Sequence, residues 1–287
     1  MTGTARLWEL LVLQAAHGAA AAFFDPAATG LLPETVGPGR LQQANVLLGL
    51  SRSATGILGQ IGAGILVATV GAGLALGVDA ASFAASAWSL ALLRPTRSIS
   101  ASRTASFIAQ LADGWTEFRA QPWLWASVLH VSLLNLMVLA PFFVLGPIVA
   151  KHFLGCATGW ATIATAYATG AVLGGLLGLR WRPQRPLLAC SVAVLALAPL
   201  IAGLAVPAPL SLLTVAALLS GSQASLSELL WNTTLQQHMP AEVLSRVSAY
   251  GWLGALLFVP FGYAIVGPVA ARVGFAATLW GGAVGWL

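Results

Sequence analysis

The sequence predicts an all-α integral membrane protein, and three observations support this fold class. Hydrophobic residues make up 58% of the chain and charged residues only 7%, whereas soluble globular domains carry about 25% charged residues. The mean hydropathy is +0.86. The apolar residues form solid runs rather than the alternating ten-residue segments of a membrane barrel. A helical bundle is therefore expected, because each helix satisfies its own backbone hydrogen bonds in lipid.

Eight apolar runs reach the roughly 20 residues that a helix needs to cross a bilayer, and a ninth run is partial. The breaks between the runs contain proline, glycine and charged residues, as in "PETVGPGR", "KHFLGCATG" and "RWRPQRP", which are typical of turns. The predicted spans are 7–32, 41–70, 72–93, 123–149, 157–179, 187–206, 208–231 and 248–271, with the partial span at 274–287.

The longest break, residues 94–122, divides the chain into a first group of spans within 1–93 and a second group within 123–287. Its first part, "RPTRSISASRTAS", is polar, whereas "FIAQLADGWTEFRAQPW" spaces its large apolar residues three and four apart. This spacing predicts an amphipathic helix on the inner membrane face. The apolar residues of this helix are Phe107, Leu111, Trp115 and Phe118.

The orientation follows from the loops, because Lys and Arg accumulate on the cytoplasmic side of a membrane. The odd-numbered loops contain nine of the 13 basic residues, while the amino terminus and the even-numbered loops contain three. We therefore expect a multi-pass protein of the cell (inner) membrane with its amino terminus outside. The basic residues do not form one stripe, so a nucleic-acid partner is not expected. The remaining basic residue, Arg52, lies within a span.

The segment "SRSATGILGQIGAGIL" around Arg52 carries two helical rows. Small residues recur every four positions and predict a face on which another helix approaches closely; they are Ser51, Thr55, Gly59 and Ala63. The adjacent row is polar and consists of Arg52, Gly56, Gln60 and Gly64. An arginine in the membrane core costs at least ~2.5 to 3.5 kcal/mol on insertion scales, so Arg52 is expected to face a cavity or a carboxylate.

Depth in the membrane selects a partner for Arg52. At ~1.5 Å per helical residue, Asp25 lies roughly 12 Å and Arg52 about 16 Å from the inner ends of their spans, so the two side chains can meet. Asp79 enters from the outer end of the third span and is too far away. Three roles stay open for a buried pair: a structural ion pair, a gating or substrate contact, or proton coupling.

Four further polar residues within the spans are candidate site residues. Asp79 either has a functional role or bonds a neighbouring serine or backbone group. Gln223 and Glu228 lie in the inner half of the seventh span, in "SGSQASLSELLWN". A desolvated carboxylate is suited to proton exchange, but Glu228 could equally be solvated or pair with Arg246. Asn135, in the fourth span, is expected to line the same cavity.

Enzymatic and metal-dependent functions find no support in the sequence. It contains no P-loop, GxGxxG, HExxH or nucleophile elbow, so neither an enzyme nor an ATP-driven pump acting alone is expected. The two cysteines, Cys156 and Cys190, are predicted on opposite sides of the membrane and offer too few ligands for a metal site. We expect no cofactor, and the proton gradient is the expected energy source.

A weak internal repeat links the two groups of spans. "LPETVGPGRLQQANVLLG" and "MPAEVLSRVSAYGWLG" each join two spans through an inside turn with proline, glutamate, valine and arginine. Allowing a small gap, Pro33, Val36 and Arg40 match Pro240, Val243 and Arg246. Such symmetry is typical of transporters built from two parallel halves.

Several runs resemble the major facilitator superfamily, specifically exporters similar to the enterobactin and macrolide efflux group. They include "LQAAHGAAAAFFDPAATGLLPETV", "RLQQANVLLGLSRSATGILGQIGAGILVATVG", "DGWTEFRAQPWLW" and "LQQHMPAEVLSRVSAYGWLG". The resemblance implies that the chain starts at the fourth of twelve helices and stops within the twelfth. Residues 1–93 would then be the remnant of the first half, 94–122 the central linker and 123–287 the second half.

Two positions depart from the pattern of that family. The stretch around Arg52 is similar to the glycine-rich fifth-helix motif associated with antiporters, but Gln60 stands where proline is common. Gln14 stands where family members often carry an arginine, and a glutamine cannot supply that charge. Both departures weaken the expectation of proton antiport.

The resemblance implies a secondary-active efflux permease that exports a small amphipathic molecule, drug-like or siderophore-like, by alternating access. The alternative from a different class is a transport-incompetent fragment, or a membrane scaffold or partner subunit. In that case a helix-packing partner within the lipid bilayer would replace the three spans that the resemblance implies are missing.

Overall fold

The computed structural model describes residues 7–92, 106–154, 157–206 and 208–286, and these residues form helices joined by short turns. Three helices form what we call the amino-terminal group: α1 (Leu7–Thr35), α2 (Leu41–Val70) and α3 (Ala72–Ala91). Gly71 alone joins α2 to α3, with a φ of 85°. This left-handed backbone favours glycine because any other residue would strain it.

The linker helix α4 (Phe107–Ala120) precedes a larger set of helices, which we call the carboxy-terminal group. Its members are α5 (Pro122–Leu134), α6 (Ala140–Phe153), α7 (Ala157–Gly178), α8 (Pro186–Ala193), α9 (Ala198–Ala205), α10 (Leu210–His238), α11 (Ala241–Leu257), α12 (Val259–Val273) and α13 (Phe275–Trp286).

Seven segments of the described chain are helical, long enough and apolar enough to cross a membrane. They are Leu41–Val70, Ala72–Ala91, Pro122–Phe153, Thr158–Gly178, Pro186–Ala205, Leu210–His238 and Ala241–Val273. An all-helical multi-pass fold is therefore confirmed. The predicted first span corresponds to α1 and the partial ninth to α13, but neither is among the seven, so the count of eight spans and a part stays a prediction.

Three of these segments contain breaks, each just before a proline. A π-helical turn, Asn135–Leu139, precedes Pro141 between α5 and α6. A 3-10 turn, Val194–Leu197, precedes Pro199 between α8 and α9, and Phe258 separates α11 from α12 before Pro260. Proline removes a backbone donor and clashes with the preceding turn, which explains why each helix changes its winding there.

Helices α7 and α10 make the closest helix pair of the carboxy-terminal group. A Cβ added at Gly174 would collide with the Ser222 backbone, and one at Gly221 with the Tyr167 carbonyl. The Ser222 hydroxyl donates to the Gly170 carbonyl across 2.9 Å. Glycine is required at these positions because the two backbones are in contact, as in other membrane helix pairs with small residues at their interface.

The small-residue face expected on α2 is a wrong prediction for the described chain. Ser51, Thr55, Gly59 and Ala63 are exposed, and nothing lies within 4 Å of a Cβ added at Gly59. The described residues of α3 include no buried one; α3 packs mainly on α2, and its Phe83 ring lies 6.1 Å from the ring of His17 on α1. Small residues permit a close approach, but whether a helix arrives depends on the rest of the fold.

The two groups meet at the ends that the charge pattern assigns to the cytoplasm. The Gln42 side chain donates to the carbonyls of Gly178, at 2.7 Å, and Trp181, at 2.9 Å. The Asn45 amide donates to the Gln236 side chain across 2.7 Å. Towards the other ends, nothing lies within 4 Å of a Cβ added at Gly18, Gly56 or Gly64 in the amino-terminal group.

The linker helix α4 packs against the inner end of α11. Ser106 caps it, because the serine hydroxyl accepts a hydrogen bond from the Ala109 amide across 3.2 Å. Phe118 is buried, and the Trp115 ring lies 5.4 Å from the ring of Tyr250. The predicted apolar stripe therefore faces a neighbouring helix at its carboxy-terminal end. The side chain of Phe107 lies outside the described ones.

Candidate functional site

Three charged side chains meet where α1, α2 and α10 come together. Arg52 Nη2 donates to Asp25 Oδ1 across 3.4 Å, and Arg52 Nη1 donates to Glu228 Oε1 across 3.4 Å. We call these residues the charge triad. The sequence predicted the approach of Asp25 to Arg52 from their depths alone, and the structure places the two side chains in contact. The second contact crosses from the amino-terminal to the carboxy-terminal group.

The charge triad lies in the inner half of the three long helices that carry it. Asp25 and Glu228 are each ten residues from the inner ends of α1 and α10, and Arg52 is eleven residues from the inner end of α2. At ~1.5 Å per residue these positions lie about 15 to 17 Å from the inner ends of helices that are about 43 to 45 Å long. Charges at that depth require partners or a polar cavity.

The ion-pair partner of Glu228 is Arg52. The sequence had left open a pair between Glu228 and Arg246, and the structure does not form it. Arg246 lies on the second turn of α11, where its Nη1 is 3.7 Å from Asp113 Oδ2 on the linker helix. Its Nη2 donates to the Glu242 carbonyl across 2.7 Å. Arg246 therefore links α4 to α11. It lies within α11 because that helix begins seven residues earlier than the apolar run indicated.

A cavity of about 250 Å³ lies beside the charge triad, between the two groups. Residues from both groups line it, among them Thr29, Asn45, Arg52, Tyr167, Glu228 and Trp252. The triad side chains are partly exposed, by 52% for Arg52, 37% for Asp25 and 55% for Glu228. The ions are therefore accessible to a small molecule or to water and are not sealed in a core.

A larger cavity, of about 500 Å³, opens within the carboxy-terminal group. Its walls are mostly apolar, with polar groups from α5, α8, α10 and α11. The polar and aromatic lining residues include His130, Gln223, Ser227, Trp231, Asn232 and Trp252. Glu228, Tyr167 and Trp252 line both cavities, so the two spaces adjoin at the charge triad.

The other sequence candidates lie apart from the charge triad or pack differently. Gln223 lines the larger cavity and its amide donates to the Ser227 hydroxyl across 3.0 Å. Asn135 does not line either cavity, contrary to expectation, because its amide donates to the Ala255 carbonyl across 2.8 Å. It thereby ties the π-helical turn of one broken span to α11.

Asp79 and Gln14 do not line either of the two cavities. Asp79 is exposed on α3, and its carbonyl accepts a hydrogen bond from Ser82 across 2.7 Å. Gln14 is exposed on the outer half of α1. Gln60 lies on α2, but its side chain is outside the described ones. The roles of all three stay predictions.

The aromatic walls of the site were not predicted from the sequence. Trp231 and Asn232 follow Glu228 by three and four residues on α10, so they share its helical face and could have been found from that register. Tyr167 and Trp252 come from α7 and α11 and carry no comparable signal. Only the packing of those helices brings their rings to the cavity.

No cluster of three or more His, Cys, Asp or Glu side chains that could hold a metal ion occurs among the described residues. Cys190 is a free thiol, and its sulfur donates to the Ser227 carbonyl across 3.7 Å. Cys156 lies outside the described residues. The chemistry available at the site is thus ion pairing, hydrogen bonding and apolar contact.

Comparison with known proteins gives one match. The family model described as "Major Facilitator Superfamily" matches residues 1–262. No curated protein and no solved structure matches the chain.

Proposed function

The chain belongs to the major facilitator superfamily and is therefore a membrane transporter, and we propose that it is a secondary-active exporter. Its cargo is a small amphipathic molecule, and the proton gradient of the cell (inner) membrane drives export by alternating access. The observation that carries this proposal is the charge triad, in which one arginine bridges two helix groups beside a cavity in the inner half of the long helices.

The contacts between the groups support alternating access. The inner ends of α1 and α2 are held to the carboxy-terminal group by hydrogen bonds from Gln42 and Asn45, whereas the outer halves of α1 and α2 lie apart from it. With the odd-numbered loops in the cytoplasm, this arrangement is closed inside and open outside. A transporter that releases its cargo outward passes through such a state.

The charge triad supplies a contact that differs between two states. When α2 separates from α10 on the inner side, the Arg52–Glu228 pair breaks while Arg52 and Asp25 move together. A carboxylate that takes up a proton no longer attracts the guanidinium, so protonation of Glu228 favours the separated state. Ionisable residues within membrane spans frequently mark such proton and substrate pathways.

The experiment that tests export uses the purified full chain in proteoliposomes with an imposed pH gradient. Three fluorescent probes of different charge are followed: ethidium, N-phenylnaphthylamine and carboxyfluorescein. We expect gradient-dependent movement of at least one probe, its loss with a protonophore, and its loss in Arg52→Ala. Glu242→Gln, which removes an exposed carboxylate at the inner end of α11, is the matched control and should transport normally.

A second candidate function is a membrane subunit that works only with another chain. The observation that favours it is the absence of any buried residue among the described residues of α3, together with the exposed Asp79 on that helix. Mass photometry of the chain in nanodiscs separates the two candidates. A monodisperse, folded monomer that moves none of the three probes would support the subunit and contradict the exporter.

A further inference from the structure

The two cavities at the charge triad form one binding space with an uneven charge. Among their described lining residues, Arg52 and Glu228 are the charged ones, and His130 is the other titratable group besides Tyr167 and Cys190. Asp25 contributes a second carboxylate through its contact with Arg52. With the imidazole neutral, one positive and two negative charges leave the site with a net charge of −1.

An unbalanced negative charge between membrane helices attracts a cation, because neither lipid nor apolar side chains solvate it. Arg52 makes a single 3.4 Å contact to each carboxylate rather than a two-bond contact to one of them. A fork-to-fork pair with one carboxylate would be stronger and shorter. The arginine is thus divided between two acids, and a second cation can replace it at either one.

The walls of the space suit an apolar cation. Trp231, Trp252 and Tyr167 line it, and aromatic faces attract positive charge. Trp231 and Asn232 lie one helical turn from Glu228 on α10, so a ring and an amide flank the carboxylate. The larger cavity, of about 500 Å³, falls within the roughly 300 to 1,000 Å³ of sites that bind drug-sized molecules.

From these features we infer that the cargo is a small monocationic amphiphile. Its positive group binds Glu228 in place of Arg52, and its apolar part occupies the cavity of the carboxy-terminal group. This inference rests on the proposed export function and adds the substrate class to it. An anionic, siderophore-like molecule would meet the excess negative charge and be repelled.

The test compares two probes of nearly the same shape and opposite charge, tetraphenylphosphonium and tetraphenylborate. Equilibrium binding of each radiolabelled probe is measured on the full chain in neutral-lipid nanodiscs, with empty nanodiscs subtracted. We expect saturable binding of tetraphenylphosphonium and none of tetraphenylborate. Equal binding of both probes, preference for the borate, or no binding of the phosphonium by the folded chain would overturn the inference.

Three variants assign the binding to the charge triad. Glu228→Gln should weaken tetraphenylphosphonium binding by about tenfold or more, since it removes the charge that the cation meets. Arg52→Ala should tighten binding by several-fold, because the competing guanidinium is gone; a merely structural arginine gives no such gain. Glu242→Gln should bind like the wild type. Unchanged affinity in Glu228→Gln, or weaker binding in a folded Arg52→Ala, contradicts the assignment.

If Glu228→Gln does not fold, a second variant still tests the inference. Asp25→Asn provides the second variant, because it lowers the negative charge from the amino-terminal group and should also weaken phosphonium binding. The probe panel distinguishes the two proposals. If the chain moves carboxyfluorescein but does not bind tetraphenylphosphonium, the export function is supported and the cationic substrate class is wrong. If the folded chain moves none of the probes, the exporter itself is contradicted.

Discussion

The amino-terminal and carboxy-terminal groups are both helical and apolar, yet they are stabilised differently. The carboxy-terminal group encloses its own core, in which Leu145, Ile163, Leu200 and Leu213 are almost completely buried. Among the described side chains of the amino-terminal group, Leu41 and Val46 are the buried large apolar ones, both at the inner end of α2. The first group therefore depends on inner-end contacts and on Arg52, while the second packs independently of them.

This difference assigns separate tasks to the two groups. The carboxy-terminal group supplies a rigid wall and most of the binding space, because its helices are in backbone contact at Gly174 and Gly221. The amino-terminal group supplies Asp25 and Arg52, and in the proposed mechanism it tilts about its inner-end hydrogen bonds. A movable group on a well-packed partner is the arrangement that alternating access requires.

The largest expected effect comes from overfilling the α7–α10 contact. Gly221→Val places a side chain against the Tyr167 carbonyl, so we expect a loss of about 3 kcal/mol or more and little folded protein. Gly64→Val is the matched control on α2, where nothing lies within 4 Å of the added Cβ. The fraction of monodisperse protein after gel filtration in detergent reports both. Equal yields of the two variants would mean that the carboxy-terminal group is not packed more tightly than the amino-terminal group.

A smaller effect is expected at the inner ends. Gln42→Ala removes hydrogen bonds to Gly178 and Trp181, worth about 1 kcal/mol each at most. The carboxy-terminal core should be unaffected, while the inner side opens more frequently. With Cys156→Ser and Cys190→Ser in the background, Leu32→Cys places a single cysteine in the interface cavity, and it should then react about five- to tenfold faster with a water-soluble maleimide.

The control for this experiment is Gln43→Ala, which removes an exposed amide one position further along α2. It should leave the reactivity of the cysteine unchanged. If Gln42→Ala and Gln43→Ala label at the same rate, the inner-end hydrogen bonds do not hold the groups together.

The smallest effect concerns the linker helix. Tyr250→Phe removes the hydroxyl that donates to the Leu111 carbonyl across 3.0 Å but keeps the ring against Trp115. We expect α4 to loosen by roughly 0.5 to 1.5 kcal/mol, with faster amide exchange in α4 and none of this change in α7 or α10. Uniformly faster exchange across the chain would mean that α4 is part of the main fold.

Much of the fold could be predicted from the sequence, because apolar runs reveal where helices cross a membrane. The boundaries were least accurate where polar residues continue a helix beyond the bilayer: the run ending at 231 extends to His238, and the one starting at 248 begins at Ala241. Hydropathy marks the lipid-facing part of a helix, whereas backbone hydrogen bonding determines where the helix ends.

The site was only partly predictable, for a related reason. The contact between Asp25 and Arg52 could be predicted because the two residues lie at similar distances from the turn that joins α1 to α2. The contact between Arg52 and Glu228 spans 176 residues and depends on how α2 lies against α10, which no local pattern encodes. The small-residue row on α2 predicted packing that the described chain does not make, since suitable surface does not determine a neighbour.

The most direct test of the account is a double-mutant cycle between Arg52 and Glu228, read as the rate of ethidium transport in proteoliposomes. Arg52→Gln leaves a net charge of −2 and Glu228→Gln leaves 0, while the double variant returns to −1. We expect each single variant to lose about tenfold or more, and the double variant to lose much less than the product of the two single losses. Multiplicative losses in the double variant would mean that the two residues act independently, and the bridge between the groups would not be part of transport.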